Sequence, residues 1–222
     1  MEGDATIVIP QRGRAELTVA VVRALRRFER QLWPIIVVDD GSATDAAHAV
    51  ERACQDVCVL QQRHLGVTAA WNRGLRAVTT SFAVLLNNDV TISGAWVDAL
   101  VAPLREETVV LSGVELRREC AVPAAVLERV GRNEFAAGWC WAFRAEDVHA
   151  IGGFDASLRF YFSDTDVQAR LLQLETVAPI AIAKGLPLRH AGHRSMQSLP
   201  DRRALWEQDR QRFIDKWTLD SR

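Results

Sequence analysis

Two short polar clusters follow apolar runs at the ends of predicted strands. The first, at 39–42, is Asp-Asp-Gly-Ser, in which a carboxylate could accept from a base N–H or a ribose hydroxyl while glycine permits the turn into a helix. The second, at 87–89, is Asn-Asn-Asp, and Asp89 could bind a hard divalent cation, Mg²⁺ or Mn²⁺, that bridges a diphosphate. Taken singly, each cluster is explained equally well by an ordinary turn or a helix cap.

A third cluster, at 160–166, carries two carboxylates directly after an aromatic run. Asp164 and Asp166 fall at the predicted start of a helix, where partial burial and the helix dipole would change their acidity in opposite directions. Residues two apart point to different sides of a helix, so one carboxylate could act on a substrate while the other caps or pairs structurally. Capping by both is the alternative.

A fourth cluster, at 190–195, places two imidazoles and a guanidinium on a glycine-containing loop. His190 could be a further metal ligand and Arg194 could contact a diphosphate. Two histidines alone do not define a metal site, and a structural role for His193 is at least as well supported.

The hydrophobic pattern predicts the elements that would hold these clusters. Short apolar, β-branched runs alternate with segments of helical periodicity. The predicted strands are 6–10, 35–38, 57–60 and 82–86, and the predicted helices are 15–30, 44–53, 68–78 and 96–104. This alternation predicts an open, mostly parallel α/β sheet with ligands outside the carboxyl ends of its strands.

The second half of the chain has a weaker pattern. Residues 109–143 are expected to form mixed sheet and loops, followed by a helix at 164–174 and extended segments at 180–183 and 186–190. A final amphipathic helix is predicted at 200–217. Its aromatic residues, interleaved with arginine and lysine, could touch a membrane, but helical spacing favours packing against the sheet.

Composition limits the classes of function. The 222 residues fit one domain, with a nucleotide-binding half at about 1–90 and an acceptor-side half with the final helix at about 91–222. The net charge of −1 gives no bulk attraction to nucleic acid or anionic lipid. No apolar leader and no apolar window of ~18 residues is present, so we expect a soluble cytoplasmic chain. The four cysteines form no C-x-x-C pair and are expected to be reduced and buried.

The clusters, taken in order, resemble family 2 glycosyltransferases of the GT-A fold, in particular small bacterial members related to rhamnosyltransferases. The resemblance spans about 6–217. It is carried by the segments 7–10, 37–42, 64–66 through 72–74, 87–89, 152–155, 161–166 and 190–195. Each segment is modest, whereas the ordered set is specific.

The resemblance implies roles for particular residues. It implies a nucleotide-diphosphate sugar as donor and Mn²⁺ or Mg²⁺ as cofactor. The nucleotide would contact Pro10, Asp39, Asp40, the segment from Gly66 to Asn72, Asn88 and Arg194, and the metal would bind Asp89 and His190. Asp164 matches the catalytic base, and Trp139, Trp141 and Asp166 would lie on the acceptor side, where an indole can stack on a sugar.

Three positions depart from the family pattern. Ser163 stands where many relatives have a glutamate directly before the base, so a carboxylate that could support Asp164 is missing. Asn87 replaces a first aspartate, which leaves fewer charges for the metal. His64 stands where asparagine is usual.

The favoured hypothesis is an inverting transfer in which Asp164 takes a proton from an acceptor hydroxyl. The acceptor could be a saccharide, a lipid-linked molecule or a protein, and the nucleotide would be UDP or dTDP. A degenerate sugar-nucleotide-binding or glycan-binding module is the alternative. A nucleotidyltransferase has little support because residues 11–14 contain only one glycine, and a dinucleotide-dependent oxidoreductase is disfavoured because no G-x-G-x-x-G follows a predicted strand.

Overall fold

The computed structural model describes residues 3–106, 109–173, 180–192 and 201–219. Its strands are β1 Ala5–Gln11, β2 Ile35–Asp40, β3 Cys58–Gln62, β4 Phe82–Leu86, β5 Val90–Ile92, β6 Leu111–Gly113, β7 Leu116–Arg118, β8 Glu134–Ala136, β9 Cys140–Arg144, β10 Ala181–Ile182 and β11 Leu188–His190. Its helices are α1 Ala15–Phe28, α2 Thr44–Ala53, α3 Val67–Leu75, α4 Val97–Arg105, α5 Ala124–Val130, α6 Ala145–Ala150, α7 Ser163–Leu171 and α8 Arg202–Leu219.

The four strands predicted in the first half form the parallel centre of the main sheet. β1 pairs with β2 and β4, β2 pairs with β3, and all three pairings are parallel. The sheet has seven strands in the order β10-β6-β9-β4-β1-β2-β3, and β9 runs antiparallel to both of its neighbours. The mostly parallel α/β sheet is therefore confirmed, with an antiparallel insertion at one side.

Helices cover both faces of this sheet, which explains the continuous apolar runs. On one face, Ile7 and Ile9 of β1 pack in the cluster that contains the buried residues of α1 and α4. On the other, Val8 packs in a second cluster with Trp71 of α3 and Val167 of α7. A strand that is buried on both faces needs apolar residues at successive positions, and for this reason polar and apolar residues do not alternate along β1 and β2.

Two short ribbons lie outside the main sheet, and the sequence pattern did not predict them as paired strands. β5 pairs antiparallel with β11, and β7 pairs antiparallel with β8. The region 109–143 is mixed sheet and loop as expected, but it also contains α5, and α6 follows β9. Strands of three residues carry too little periodicity to be recognised.

The final helix packs into the fold. Phe213 and Trp217 of α8 are 0% and 9% exposed and share a cluster with Phe162 and α5. The helix thus packs into the fold as expected, but against α5, α7 and the 158–162 segment rather than against the main sheet. Of the helices that the structure describes, none is long and apolar enough to cross a membrane. All four cysteines are free, but only Cys54 and Cys140 are buried, so the expected burial of Cys58 and Cys120 is wrong.

Candidate active site

A cavity of about 250 Å³ lies at the carboxyl ends of β1, β2 and β4. Its wall takes at least one residue from each of the four polar clusters, and Pro10 contributes from β1. These residues are Pro10, Asp40, Asn88, Asp164 and His190. A parallel sheet brings the carboxyl ends of its strands to one edge, so clusters that are far apart in sequence meet here.

Asp40, at the end of β2, organises one wall of this cavity. One carboxylate oxygen accepts hydrogen bonds from the Gln62 side chain and the Leu65 N–H, both at 2.8 Å. The other accepts from the Gly66 N–H at 2.9 Å and contacts His64 Nδ1 at 2.8 Å. Gly66 has φ +102°, which favours glycine. Asp40 is 4% exposed and shapes the 64–66 loop, where His64 occupies the position of the usual asparagine.

Two other residues predicted to bind the nucleotide are engaged elsewhere. Asp39 is 2% exposed, accepting from Gln11 Nε2 and from the Ser42 N–H, both at 2.9 Å. The Asn72 side chain donates from Nδ2 to the Phe154 carbonyl at 2.8 Å, and its Oδ1 accepts from the Phe154 N–H at 2.9 Å. Neither residue is among the described side chains that line the cavity. In the structure Asp39 supports the turn after β2 and Asn72 holds the backbone at 154, and a nucleotide contact by either residue stays a prediction.

The predicted metal ligands lie side by side because β5 pairs with β11. Asp89 Oδ1 is 3.0 Å from His190 Nε2 although 101 residues separate them in the chain. Asp89 is 6% exposed, and its carbonyl accepts from the Ala191 N–H at 2.9 Å. Nearby Asn88 is 4% exposed and donates to Thr18 Oγ1 at 3.0 Å. The ribbon thus joins the second and fourth polar clusters.

A series of side-chain contacts connects His190 of this pair with the guanidinium group of Arg117. The Trp139 ring stacks on His190 with centroids 5.0 Å apart and planes at 7°. Its Nε1 donates at 3.0 Å to Glu115 Oε1, which also accepts from Arg117 at 2.7 Å. The hydrogen bond from Trp139, assisted by Arg117 and His190, lowers the pKa of Glu115 despite partial burial. Trp139 is therefore held in a fixed position between the predicted metal ligand and Arg117.

Arg12 and Arg117 line the cavity, and the sequence pattern did not predict them. It did not predict Glu115, the partner of Arg117 and Trp139, either. A guanidinium donates to phosphate oxygens in a planar fork, so both arginines suit a diphosphate. The only sequence signal for Arg12 is its place directly after β1. Arg117 and Glu115 lie on or beside a three-residue strand that carries no motif.

The carboxylate of Asp89 and the imidazole of His190 fit a hard divalent cation whose other ligands come from a bound phosphate group and water. Within the described ranges, no group of three or more His, Cys, Asp or Glu side chains could hold a metal alone. Asp89 and His190 offer one carboxylate and one imidazole. Mg²⁺ and similar ions are often bound by one or two protein side chains and complete their shell with phosphate oxygens and water. Arg194 and His193 lie outside the described residues.

Asp164 stands at the second position of α7 and faces the cavity. Its Oδ1 accepts from the Thr165 N–H at 3.0 Å, and a Cβ at Gly138 would lie 2.2 Å from its Oδ2. Burial raises the pKa of Asp164 above its ordinary value, while the N–H groups of Thr165 and Asp164 and the charge of Arg117 oppose the shift. A buried carboxylate with a raised pKa is a stronger proton acceptor than a solvated one.

A second cavity of about 220 Å³ adjoins the first at Asp164. Arg117 and Asp164 line both cavities, whereas Glu119, Thr165 and Trp206 line only the second. Burial raises the pKa of Glu119, and the nearby Asp164 charge adds to that effect. Asp164 is therefore reached from two sides, through a cavity that contains the predicted metal ligand His190 and through one bounded by α8.

Two of the three predicted acceptor contacts lie away from these cavities. Trp141 is 1% exposed and packs on Phe143 and Phe154, with centroids 4.9 and 5.9 Å apart. Asp166 is 0% exposed and contacts Lys216 at 2.8 Å and Trp217 Nε1 at 3.1 Å. Trp141 is thus a core residue and Asp166 is the buried centre of a charged cluster with Arg170 and Lys216, and an acceptor contact by either residue stays a prediction. Trp139, which lines the first cavity, remains a candidate.

Comparisons with known proteins identify the family and the fold of the chain. Residues 6–151 match the model of glycosyl transferase family 2. The chain is 39% identical over 111 residues to a protein named pre-mycofactocin glycosyltransferase in two strains of Mycobacterium tuberculosis, CDC 1551 / Oshkosh and ATCC 25618 / H37Rv. That alignment takes in 49% of this chain but only 22% of the relative.

Two solved structures share the fold. A mannosyltransferase of Pyrobaculum calidifontis in complex with GDP-Man and Mn²⁺ has a TM-score of 0.62 and 18% identity, covering 92% of this chain and 61% of the other. Glucosyl-3-phosphoglycerate synthase of M. tuberculosis, in complex with Mn²⁺, UDP and glucosyl-3-phosphoglycerate, has a TM-score of 0.66 and 17% identity, covering 87% and 74%.

The sheet and the likeness to these two structures show the GT-A fold. The chain belongs to glycosyl transferase family 2. The narrower resemblance to rhamnosyltransferases is not supported by the named relatives. The family match includes Asp40 and Asp89 but ends before Asp164 and His190.

Proposed function

We propose that the chain transfers a sugar from a nucleotide-diphosphate sugar to an acceptor hydroxyl with inversion at the anomeric carbon. One observation carries the proposal: Asp164, a half-buried carboxylate with a raised pKa, lines both adjoining cavities. The donor would occupy the cavity at the sheet edge and the acceptor would enter through the cavity beside α8. A base between two substrates is what a direct displacement requires.

The reaction is a single displacement. The Asp164 carboxylate accepts the proton of the acceptor hydroxyl while that oxygen forms a bond to the anomeric carbon. The bond from this carbon to the diphosphate oxygen breaks, and its electron pair leaves with the nucleoside diphosphate. Asp164 then releases its proton to solvent, so no covalent enzyme intermediate is needed.

The departing diphosphate gains negative charge, and several groups are available to bind it. Arg12 and Arg117 line the donor cavity and would donate hydrogen bonds to phosphate oxygens. A divalent cation held by Asp89 and His190 would stabilise the charge that grows on the leaving group. Trp139, fixed by Glu115 and stacked on His190, would cover the sugar or the metal-binding imidazole.

The acceptor side combines charge with aromatic surface. Glu119 offers a carboxylate for acceptor hydroxyls, and the ring of Trp206 offers a face on which a sugar can stack. Arg117 and Arg118 line the same cavity. These groups favour a polar acceptor with several hydroxyls, such as a saccharide.

The decisive experiment is calorimetric titration with UDP, GDP and dTDP, each with and without Mn²⁺. It compares wild type with Asp89→Ala and, as a matched control, Asp98→Ala, whose carboxylate is 64% exposed and remote from the cavity. We expect metal-dependent binding of one nucleotide by wild type and by the control, and loss of the metal-dependent part in Asp89→Ala.

Three outcomes would count against the proposal. Absence of binding by any nucleotide would remove the donor site. Binding without release of nucleoside diphosphate from any matching sugar donor, in the presence of mono- and disaccharide acceptors, would favour the alternative of a binding module. Transfer in wild type that is retained in Asp164→Asn would leave the donor site intact and exclude Asp164 as the base.

A further inference from the structure

The final helix α8 holds the chain on both sides of Asp164. On the carboxyl side of Asp164, Asp166 forms an ion pair with Lys216 of α8 and accepts a hydrogen bond from the Trp217 indole of the same helix. On the amino side, Phe162 packs against Phe213 with centroids 5.6 Å apart. One helix therefore fixes the residues two positions before and two positions after the proposed base.

Asp209 of α8 adds a contact of a different kind. Its carboxylate is 2% exposed, and Oδ2 accepts from the backbone N–H groups of Phe160 at 2.8 Å and Tyr161 at 3.1 Å. Oδ1 accepts from Arg212 at 2.9 Å. An ionised carboxylate that accepts from two backbone amides makes strong, charge-assisted hydrogen bonds. Phe160 and Tyr161 line the donor cavity, so the contact acts on its wall.

The segment between Asp209 and Asp164 needs such support. Phe162 has φ +61°, a left-handed conformation that is unfavourable for an aromatic residue. In the described part of the chain, no side chain caps the amino end of α7. The direction in which α7 begins, and therefore the position of Asp164, is set by contacts from α8 rather than by a local cap.

We propose that Asp209 is a positioning residue for the transfer reaction, holding the backbone at 160–161 so that Asp164 sits between the two cavities. This inference rests on the proposed function of Asp164 as the base. Asparagine replaces the carboxylate poorly, because its oxygen carries no charge to strengthen the bonds from 160 and 161 and its NH₂ group would face the Arg212 guanidinium. A shift of about 1 Å in a reacting group can cost on the order of 10²-fold in rate.

The test compares Asp209→Asn with Asp215→Asn, which makes the same change at an exposed position of the same helix. We expect Asp209→Asn to lower kcat by about 10- to 100-fold with the KM for the donor changed less than about threefold. The acid limb of the kcat profile should also move, because the surroundings of Asp164, namely Arg117, Glu119 and the Thr165 N–H, are displaced relative to its carboxylate. Asp215→Asn should match wild type.

Further measurements separate positioning from simple stabilisation and from failure of the proposed function. Hydrogen exchange should show faster exchange of the 160–161 amides in Asp209→Asn than in Asp215→Asn. A lower Tm with unchanged kcat well below the transition, or unchanged exchange at 160–161, would overturn the proposal.

If wild type transfers no sugar, the proposed function fails, while amide exchange and an NMR titration of the Asp164 carboxyl still test the positioning. If Asp209→Asn does not fold, Asp209→Glu, which keeps the charge, should give an intermediate kcat, and wild-type kcat in that variant would contradict the role.

Discussion

The nucleotide side and the base side of the site are built in different ways. On the nucleotide side, Asp40 and Asn88 stand at strand ends, and short loops close around them through hydrogen bonds such as those from 62–66 to Asp40. On the base side, Asp164 belongs to a helix that is held by charged residues of α8, more than 40 positions further along the chain. The first arrangement follows from the sheet, whereas the second depends on long-range side-chain pairs.

This difference predicts separable effects of substitution. Changes on the nucleotide side should alter nucleotide affinity with little effect on the rate constant of transfer. Changes on the base side should alter kcat or the stability of the fold and leave nucleotide affinity near its original value. The variants below test that separation.

Asp164→Asn should have the largest effect. Loss of the base is expected to lower kcat on the order of 10³-fold, while the Kd for the nucleotide stays within about twofold. Because burial raises the folded pKa of Asp164, the ionised carboxylate reduces stability as the pH rises through that pKa, so at neutral pH the variant should be at least as stable as wild type. Steady-state kinetics and thermal unfolding, with Asp98→Asn as control, measure both. A kcat loss below tenfold would contradict the assignment.

Lys216→Met should have the next largest effect. Lys216 contacts both Asp155 and the 0% exposed Asp166, at 2.8 Å in each case. Removing this cation leaves Arg170, at 2.8 Å, as the charged partner of the Asp166 carboxylate, so the free energy of unfolding is expected to fall by about 2 kcal/mol. Urea denaturation measures this, and Lys184→Met, at an exposed position, is the control. An equal loss of unfolding free energy in both variants would show that the ion pair with Asp166 does not stabilise the fold more than an exposed lysine does.

Asp40→Asn tests the nucleotide side. One of the two carboxylate oxygens becomes an NH₂ group that faces other donors, so the 64–66 loop should loosen. We expect nucleotide affinity to fall about tenfold, corresponding to ~1.4 kcal/mol, with kcat at saturating donor within about threefold of wild type. Calorimetry and kinetics measure the two quantities. A fall in kcat with unchanged affinity would break the proposed separation of the two sides.

The smallest expected effect is a shift in pH dependence. The rate should fall as the pH decreases through the raised pKa of Asp164, because the base must be ionised to accept a proton. Arg117 lowers that pKa, so Arg117→Gln should move the acid limb of kcat to higher pH by less than about one unit. Arg118→Gln, which lines the second cavity, is the control. Movement to lower pH in Arg117→Gln would contradict the charge arrangement.

The same contrast explains what the sequence could predict. Apolar runs and helical spacing predicted the parallel strands, and polar clusters at strand ends predicted a site at their carboxyl edge, since both follow from local pattern. The long-range part of the Asp166 ion pair was not predicted, because Lys216 is 50 residues away and forms no periodic signal with it, whereas the pair with Arg170 lies four positions along α7. The burial of Trp141 was not predicted because it depends on contacts with Phe143 and Phe154. Glu115, Arg117 and Asp209 were missed for the same reason.

The ribbon of β5 and β11 has a consequence for the order in which the site forms. Asp89 and His190 meet only when a loop of about a hundred residues has closed, and closure of long loops is a late and entropically costly event in folding. A nascent chain that has completed the parallel strands β1 to β4 therefore still lacks half of the proposed cation site. Cation binding would then be a property of the finished fold, and the ion would favour the folded state by mass action.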